Sequence, residues 1–160
     1  PESAAEVPAA VKAATSLPVL VKLTPNTGDI AKIALAVAEA GADAITAINT
    51  LKGMVIDISR RRPLLGSITG GLSGPAIKPV ALQMVYEIAS AVDLPVIGCG
   101  GITNASDALE FIMAGASAIQ VGTAGFTDPQ APLKVLEGIE QFMKKEGITD
   151  IANLIGTARR

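Results

Sequence analysis

The sequence predicts an α/β protein built on a parallel sheet, and two observations predict this class. Four short apolar runs alternate with helical segments, as expected of parallel strands with covered faces. Two of these runs end directly in glycine loops, Gly100-Gly101 and Gly122-Thr123. Glycine lets the backbone approach a ligand closely, and the helix that follows offers free N–H groups to a phosphate. Two such loops on consecutive strand–helix units are typical of a barrel that binds a phosphorylated cofactor.

The elements follow one another in a regular order. A helix over residues 4–15 leads in, and four strand–helix units follow. Proline near the first turn opens one helix at Pro75, and Gly41 and Gly115 end two others. Residues 49–74 are predicted to form a long loop. The strands are predicted at 17–23, 43–48, 95–98 and 118–121, and the helices at 29–40, 75–92, 105–114 and 131–146.

An internal repeat favours a barrel built from duplicated pieces over coincidence. Residues 40–45 (Ala-Gly-Ala-Asp-Ala-Ile) recur as residues 114–119 (Ala-Gly-Ala-Ser-Ala-Ile), and residues 17–20 recur in similar form as 94–97. Four units make half of an eight-stranded barrel, which typically needs about 250 residues. We therefore expect a second copy or a missing half to complete the structure. An open doubly wound sheet is a third alternative, weakened because no Gly-x-Gly-x-x-Gly follows the first strand.

Composition excludes several classes of function. The chain has 160 residues, 49% hydrophobic and 18% charged, which is enough for one domain with a sizeable core. The net charge of −2 provides no basic stripe for nucleic acid. The absence of histidine excludes the common zinc sites and a Ser-His-Asp triad, so we expect no metal site. The cationic run Arg60-Arg61-Arg62 is interpreted as a solvated loop.

The same composition predicts a cytoplasmic location. The single cysteine, Cys99, rules out an internal disulfide and fits a reducing compartment. No apolar run approaches the roughly 20 residues that a membrane helix needs, and the first residues lack the charge pattern of a signal peptide.

Five motifs, at residues 21–26, 48–50, 70–79, 98–102 and 121–123, together resemble the C-terminal half of a dihydroorotate dehydrogenase. The similarity is greatest to the FMN-binding catalytic subunit of the NAD-linked class (class 1B), and it covers essentially the whole chain. It implies a (β/α)8 (TIM) barrel, with residues 1–160 as a single C-terminal half that supplies strands five to eight. The motifs are Val21-Lys22-Leu23-Thr24-Pro25-Asn26, Ile48-Asn49-Thr50, the stretch from Gly70-Gly71-Leu72-Ser73-Gly74 to Pro79, Gly98-Cys99-Gly100-Gly101-Ile102 and Val121-Gly122-Thr123.

The resemblance assigns cofactor roles to seven residues and a weaker role to an eighth, Asn26. Lys22 stands near the end of an apolar strand, where a buried ammonium needs an anionic partner. By the resemblance it would lie against the pyrimidine edge of the flavin, where reduced flavin gathers negative charge. Ile48 would pack beside the flavin. Asn26 would help at the first loop, more weakly. The residues implied to cradle the FMN phosphate, through backbone N–H groups and one hydroxyl, are Gly74, Gly100, Gly101, Gly122 and Thr123.

The resemblance makes Asn49 and Thr50 substrate contacts. A side-chain amide donates and accepts in one plane, which suits the carbonyl and N–H edge of a pyrimidine ring. The alternative is a simple turn at the end of a strand, where both residue types are common.

No catalytic residue is expected in this chain. In the family, a cysteine base and a second flavin-binding lysine lie ahead of the strand that contains Lys22, so the base is expected upstream of Pro1. Cys99 is interpreted as a buried space-filling residue. Asp43 and Asp107 are interpreted as residues that mark the ends of a helix or strand.

The resemblance implies a flavoenzyme of pyrimidine biosynthesis that oxidises dihydroorotate to orotate through FMN. This chain would supply the FMN-phosphate and substrate-binding portion and would be inactive alone. The expected partners are a second copy or the missing half, and an electron-transfer subunit carrying FAD and a 2Fe-2S cluster. Two alternatives stay open: a non-catalytic half-barrel that binds a phosphorylated ligand, and an FMN barrel acting on another pyrimidine.

Overall fold

The computed structural model describes residues 2–159 and contains eight strands and six helices in that range. Two short 3-10 helices, Pro75–Ile77 and Ile151–Leu154, complete the secondary structure. The strands are β1 (Leu20–Leu23), β2 (Ala44–Ala47), β3 (Leu51–Gly53), β4 (Ile56–Asp57), β5 (Arg62–Pro63), β6 (Gly70–Leu72), β7 (Val96–Cys99) and β8 (Ala118–Gln120). The helices are α1 (Glu2–Ala14), α2 (Ile30–Glu39), α3 (Lys78–Ala91), α4 (Ala105–Ala114), α5 (Ala124–Thr127) and α6 (Ala131–Glu146).

Four parallel strands form the main sheet, in the order β1-β2-β7-β8. Ile45 of β2 is paired with Val21 of β1 on one side and Val96 of β7 on the other. Gly98 is paired with Ile119 of β8. The spatial order of the strands is their order along the chain, without the reversal that defines a doubly wound sheet. The prediction of an α/β protein with a parallel sheet is confirmed.

The helices form one layer, in which α1, α2, α3, α4 and α6 contact one another in sequence. This layer and the sheet enclose the core, where Ile45 and Phe111 are fully buried. Side chains alternate along the outer strands, as in any strand. In β1, Leu23 is buried while Leu20 and Lys22 are exposed, and in β8 Ala118 and Gln120 are exposed on either side of half-buried Ile119.

The helix ends follow the local signals in the sequence. The Asp29 carboxylate caps α2 by accepting from the backbone N–H of Lys32 at 2.9 Å. Asn104 caps α4 in the same way through the N–H of Asp107 at 3.0 Å. Gly115 ends α4 with a φ of 121°, a conformation that L side chains rarely adopt. The predicted bounds of α4 and α6 are confirmed.

The prediction of a plain loop over residues 49–74 is wrong. The segment forms two antiparallel ribbons, β3 with β6 and β4 with β5. Its strands are only two or three residues long, and glycines, which are poor strand formers, occupy two of the three β6 positions. Gly71 is required there because a Cβ would collide with the side chain of Thr50. The helix predicted from Pro75 begins as the 3-10 turn Pro75–Ile77 and becomes α-helical at Lys78.

Within residues 2–159, no helix is both long and apolar enough to span a membrane.

Candidate active site

A cavity of about 240 Å³ is formed at the carboxyl ends of the parallel strands. Nine of the ten residues that the sequence singled out as cofactor or substrate contacts line it, and Asn26 does not. Because carboxyl ends of neighbouring parallel strands meet at one edge of a sheet, residues far apart in sequence converge there. The nine are Lys22, Ile48, Asn49, Thr50, Gly74, Gly100, Gly101, Gly122 and Thr123.

The glycine loops line one side of the cavity with backbone. Gly100 and Gly101 have φ values of 139° and 77°. A Cβ on Gly101 would lie only 2.9 Å from the carbonyl oxygen of Gly74 and 2.8 Å from the backbone nitrogen of Lys78, so only glycine fits. Gly122 differs, since nothing lies within 4 Å of the position of its missing Cβ. Space next to Gly122 is therefore open to a bound group.

Backbone donors in these loops are unpaired. Within residues 2–159, the N–H groups of Gly101, Ile102, Gly122 and Thr123 donate to no other group of the chain. Thr123 also donates its hydroxyl to Ser73 Oγ at 2.9 Å, which connects the loop after β8 to the segment after β6. Unpaired amides around a concave site are typical of anion-binding sites.

Lys22 supplies the ammonium group of the cavity. The sequence suggested a buried lysine with an anionic partner, but Lys22 is exposed and forms no salt bridge within the described part of the chain. Its Nζ lies 3.8 Å from Cys99 Sγ. The interpretation of Cys99 as a buried space-filling residue is corrected as well, because Cys99 is half-buried and lines the cavity.

Asn49 and Thr50 lie beside this lysine at the end of β2. The Asn49 side-chain oxygen accepts from the backbone N–H of Thr50 at 2.8 Å, which leaves the amide NH₂ without a partner in residues 2–159. Asn49 is exposed and Thr50 is half-buried. Asn26 does not line the cavity and instead hydrogen-bonds the backbone of Thr50 and Lys52.

An ion-pair network lies behind the Gly100-Gly101 loop. Lys78 Nζ donates to Asp107 Oδ1 at 2.8 Å and to Glu110 Oε1 and Oε2 at 3.0 Å. Burial raises the pKa of Asp107, but hydrogen bonds from Lys78 and Thr103 outweigh it and hold that pKa below its ordinary value. The hydrogen bonds that Lys78 donates, first to Asp107 and then to Glu110, raise the pKa of Lys78. The interpretation of Asp107 as an end marker missed this role, since its partner is 29 residues away in sequence.

Comparison with known proteins places the chain in a family. The family model described as dihydroorotate dehydrogenase matches residues 1–143. The chain belongs to the dihydroorotate dehydrogenase family.

Individual members of the family are similar over nearly the whole chain. The dihydroorotate dehydrogenase B (NAD(+)) catalytic subunit of Trichlorobacter lovleyi is 59% identical over 156 residues, 98% of this chain and 51% of the relative. The subunit of the same name from Geotalea daltonii is 54% identical over 159 residues, 99% of this chain and 52% of the relative. The chain thus spans about half the length of the curated relatives it matches.

Six further residues line the cavity and were not assigned from the sequence. Ser73 and Ile77 belong to the motif from Gly70 to Pro79, so the motif itself was the signal for them. Phe126 is 91% exposed at the cavity and had no signal, since the short helix α5 was not predicted. The six are Ser73, Ile77, Ile102, Thr103, Ala124 and Phe126.

Within residues 2–159, no group of three or more His, Cys, Asp or Glu side chains could hold a metal ion.

Proposed function

We propose that this chain is the FMN-phosphate and substrate-binding portion of an enzyme that oxidises dihydroorotate to orotate in pyrimidine biosynthesis. The observation that carries the proposal is one cavity that brings together two glycine loops, an ammonium group and an amide–hydroxyl pair. The glycine loops suit the binding of a phosphate, the ammonium suits an electron-rich ring, and the amide–hydroxyl pair suits a pyrimidine. Family membership adds the reaction class.

The glycine loops fit the phosphate of FMN. Unpaired N–H groups at Gly101, Ile102, Gly122 and Thr123 provide donors. The Thr123 hydroxyl adds another when it turns from Ser73 Oγ to the phosphate. The open space at Gly122 admits a phosphate against the backbone, whereas the close packing at Gly101 fixes the loop after β7. We assign the phosphate to Gly74, Gly100, Gly101, Gly122 and Thr123.

Lys22 is positioned to face the ring of the flavin. When bound, FMN supplies the hydride acceptor of the oxidation. An ammonium beside the pyrimidine edge stabilises negative charge that collects on that edge in the reduced state. Lys22 is suited to this because it is unpaired with any carboxylate in the described part of the chain. Ile48 is only 2% exposed and provides an apolar surface in the lining of the cavity.

Asn49 and Thr50 provide the polar contacts for the pyrimidine. The free NH₂ of Asn49 donates to a ring carbonyl, and the Thr50 hydroxyl donates or accepts at the neighbouring position. Neither side chain removes a proton at neutral pH, so they orient the substrate and do not act as the base. We place the base outside this chain, in the portion that the longer relatives possess.

We infer that residues 1–160 form a single C-terminal half of a (β/α)8 barrel. The strand order follows the chain, and the helices lie in one layer on one face of the sheet. The opposite face is left with exposed side chains such as Leu20, although parallel sheets are normally buried on both faces. The cavity of about 240 Å³ is also below the range of roughly 300–1,000 Å³ typical of ligand sites, as expected if another part of the protein forms the rest.

The expected partners follow from this incomplete sheet and from the names of the relatives. We expect the missing half or a second copy to cover the exposed face. The relatives are named catalytic subunits of an NAD(+) enzyme, which implies a further subunit for electron transfer. We propose that this partner carries FAD and a 2Fe-2S cluster and that the complex is cytoplasmic.

Flavin and pyrimidine titrations test the proposed function. FMN added to the 160-residue chain should bind with quenched fluorescence, and orotate should then shift the flavin absorbance. Lys22→Met should weaken FMN binding, whereas Lys32→Met on α2 should not. If the chain binds other phosphorylated ligands but does not bind FMN, the non-catalytic half-barrel is favoured. An absorbance shift with uracil but not orotate would favour another pyrimidine substrate. Absence of any flavin binding would refute the proposal.

A further inference from the structure

Three charged side chains lie behind the Gly100-Gly101 loop without lining the cavity. They are Lys78, Asp107 and Glu110, joined by hydrogen bonds of 2.8 to 3.0 Å. We propose that this trio is a positioning network that holds the loop after β7 in the shape that receives the FMN phosphate. The inference rests on the proposed function, because it requires the phosphate at that loop.

The loop contacts a residue of the network at each of its ends, through the backbone and Cβ of Lys78 at one end and through the Asp107 carboxylate at the other. At the first end, Gly101 packs against Lys78, whose Cβ and backbone nitrogen would each lie 2.8 Å from a Cβ on the glycine. At the other end, the backbone N–H and the hydroxyl of Thr103 donate to Asp107 Oδ2 at 2.9 and 2.7 Å. The Asp107 carboxylate therefore binds the loop with one oxygen and Lys78 with the other.

The trio does not attract the phosphate by its charge. The ammonium of Lys78 is already shared between two carboxylates, and together the two outweigh its single positive charge. A phosphate would gain nothing from the net charge of this group. The trio must therefore affect phosphate binding through the position of the loop.

Burial favours a rigid Lys78–Asp107 pair, whereas the Glu110 side chain is 42% exposed. The side chain of Asp107 is 11% exposed and that of Lys78 is 24% exposed, so water competes weakly for their hydrogen bonds. Asn104 and Asp107 also hold the first turn of α4, which begins directly after the loop. The loop is thus fixed between the first turns of two helices, α3 and α4.

The chain offers a matched control at a different place. Lys12 and Asp43 form another lysine–aspartate pair, at 2.6 Å, with side chains 34% and 41% exposed. Asp43 precedes β2, whereas the cavity lies after the carboxyl ends of the strands. Lys12→Met removes an ion pair of the same type without touching either glycine loop.

The ratio of FMN affinity to riboflavin affinity tests the proposal, since riboflavin lacks only the phosphate. Fluorescence titrations of the 160-residue chain should show that Lys78→Met lowers this ratio by about tenfold. This is the effect expected if the displaced loop loses one good charge-assisted contact with the phosphate. Lys78→Arg should restore most of the ratio, because a guanidinium bridges two carboxylates. Lys12→Met should leave the ratio unchanged. If Lys78→Met does not fold, Glu110→Ala should still lower the ratio about threefold, since it removes one of the two partners.

The outcomes separate this inference from the proposed function. An unchanged ratio in Lys78→Met, or in Glu110→Ala if that variant is the one measured, would overturn the positioning role. An equal loss of both affinities is one form of that result, since it leaves the ratio unchanged, and it would show that the network serves folding alone. A wild-type chain that binds riboflavin as tightly as FMN would instead refute the phosphate site itself.

Discussion

Asn26 binds the carbonyl oxygen of Thr50 through its side-chain Nδ2, at 3.0 Å. The other end of the same amide, Oδ1, accepts from the backbone N–H of Lys52 at 2.8 Å. A residue in the loop after β1 thus fixes the first residues of the ribbon that follows β2. The proposed pyrimidine contacts adjoin these bonds, because Thr50 carries the bound carbonyl and Asn49 directly precedes Thr50. Asn26 therefore acts on the site through the backbone, whereas the sequence indicated only weaker help at the first loop.

Substitution of Asn26 should weaken pyrimidine binding without weakening FMN binding. Asn26→Asp keeps the acceptor for Lys52 but loses the donor to Thr50, so a backbone carbonyl loses its partner. We expect a five- to tenfold loss of orotate affinity, about 1 kcal/mol, which is the usual contribution of one hydrogen bond. Flavin difference spectra during orotate titration measure it. Asn153→Asp, in the C-terminal 3-10 helix, is the control, and a parallel loss of FMN affinity would contradict the assignment.

Local signals predicted much of the fold because they depend on neighbouring residues. Asn104 and Gly115 set the ends of α4 through a side-chain cap and a positive φ, and neither requires a distant partner. The cavity was predictable for a related reason. Glycine loops that follow neighbouring parallel strands lie at the same edge of the sheet, whatever the packing elsewhere.

Features that depend on distant partners were not predicted. The interaction of Lys78 with Asp107 depends on packing of α3 against α4, and nothing near either residue indicates it. The ribbon of β3 and β6 depends on Gly71 fitting against Thr50, a contact across 21 positions. Its strands are also too short to show an alternation of apolar and polar residues in the sequence. The exposure of Lys22 likewise depends on which distant segments cover its face of the sheet, and the neighbouring residues do not indicate this.

Asp107→Asn should destabilise the chain in a pH-dependent manner. Folding lowers the pKa of Asp107, so the charged carboxylate stabilises the folded state above the unfolded pKa of about 4. The stabilisation is lost as the pH falls through the lower pKa of the folded state. Near pH 7 we expect wild type to exceed the variant by about 2 kcal/mol in free energy of unfolding, a typical cost for disrupting a buried hydrogen-bonded group.

Urea denaturation from pH 7 down to pH 3 measures this difference, which should narrow toward the acid end. Asp93→Asn is the control, because Asp93 is exposed and makes no side-chain hydrogen bond or ion pair within residues 2–159. A gap that stays constant over the whole pH range would show that the effect of Asp107→Asn is not electrostatic.

Gly122→Val should block the phosphate without disturbing the fold. No heavy atom lies within 4 Å of the position that the new Cβ would occupy, so the side chain fits the protein but enters the cavity. FMN affinity should fall at least tenfold, about 1.4 kcal/mol. The circular dichroism spectrum should stay nearly the same.

The control for this substitution is Gly66→Val. Gly66 also has nothing within 4 Å of its missing Cβ, but it lies outside the cavity lining. Equal FMN binding by wild type and Gly122→Val would remove the phosphate from the loop after β8.

The isolated chain, saturated with FMN, should oxidise dihydroorotate negligibly. Dehydrogenation needs a base within hydrogen-bond reach of the departing proton in addition to a hydride acceptor. In the cavity, Lys22 is an ammonium, and Asn49 and Thr50 take no proton at neutral pH. Cys99 lines the cavity and lies 3.8 Å from Lys22 Nζ, so it is the one residue whose role must be tested directly.

Adding the N-terminal half of a longer relative should restore turnover, because that half is expected to carry the base. In the restored enzyme, Cys99→Ser should change kcat by less than about threefold, since serine preserves the size of a residue that only lines the site. Replacing the base in the added half should abolish turnover. Anaerobic assays of orotate formation with an artificial electron acceptor measure all three. Robust turnover by this chain alone, lost in Cys99→Ser, would make Cys99 the base and would contradict the division of roles between the halves.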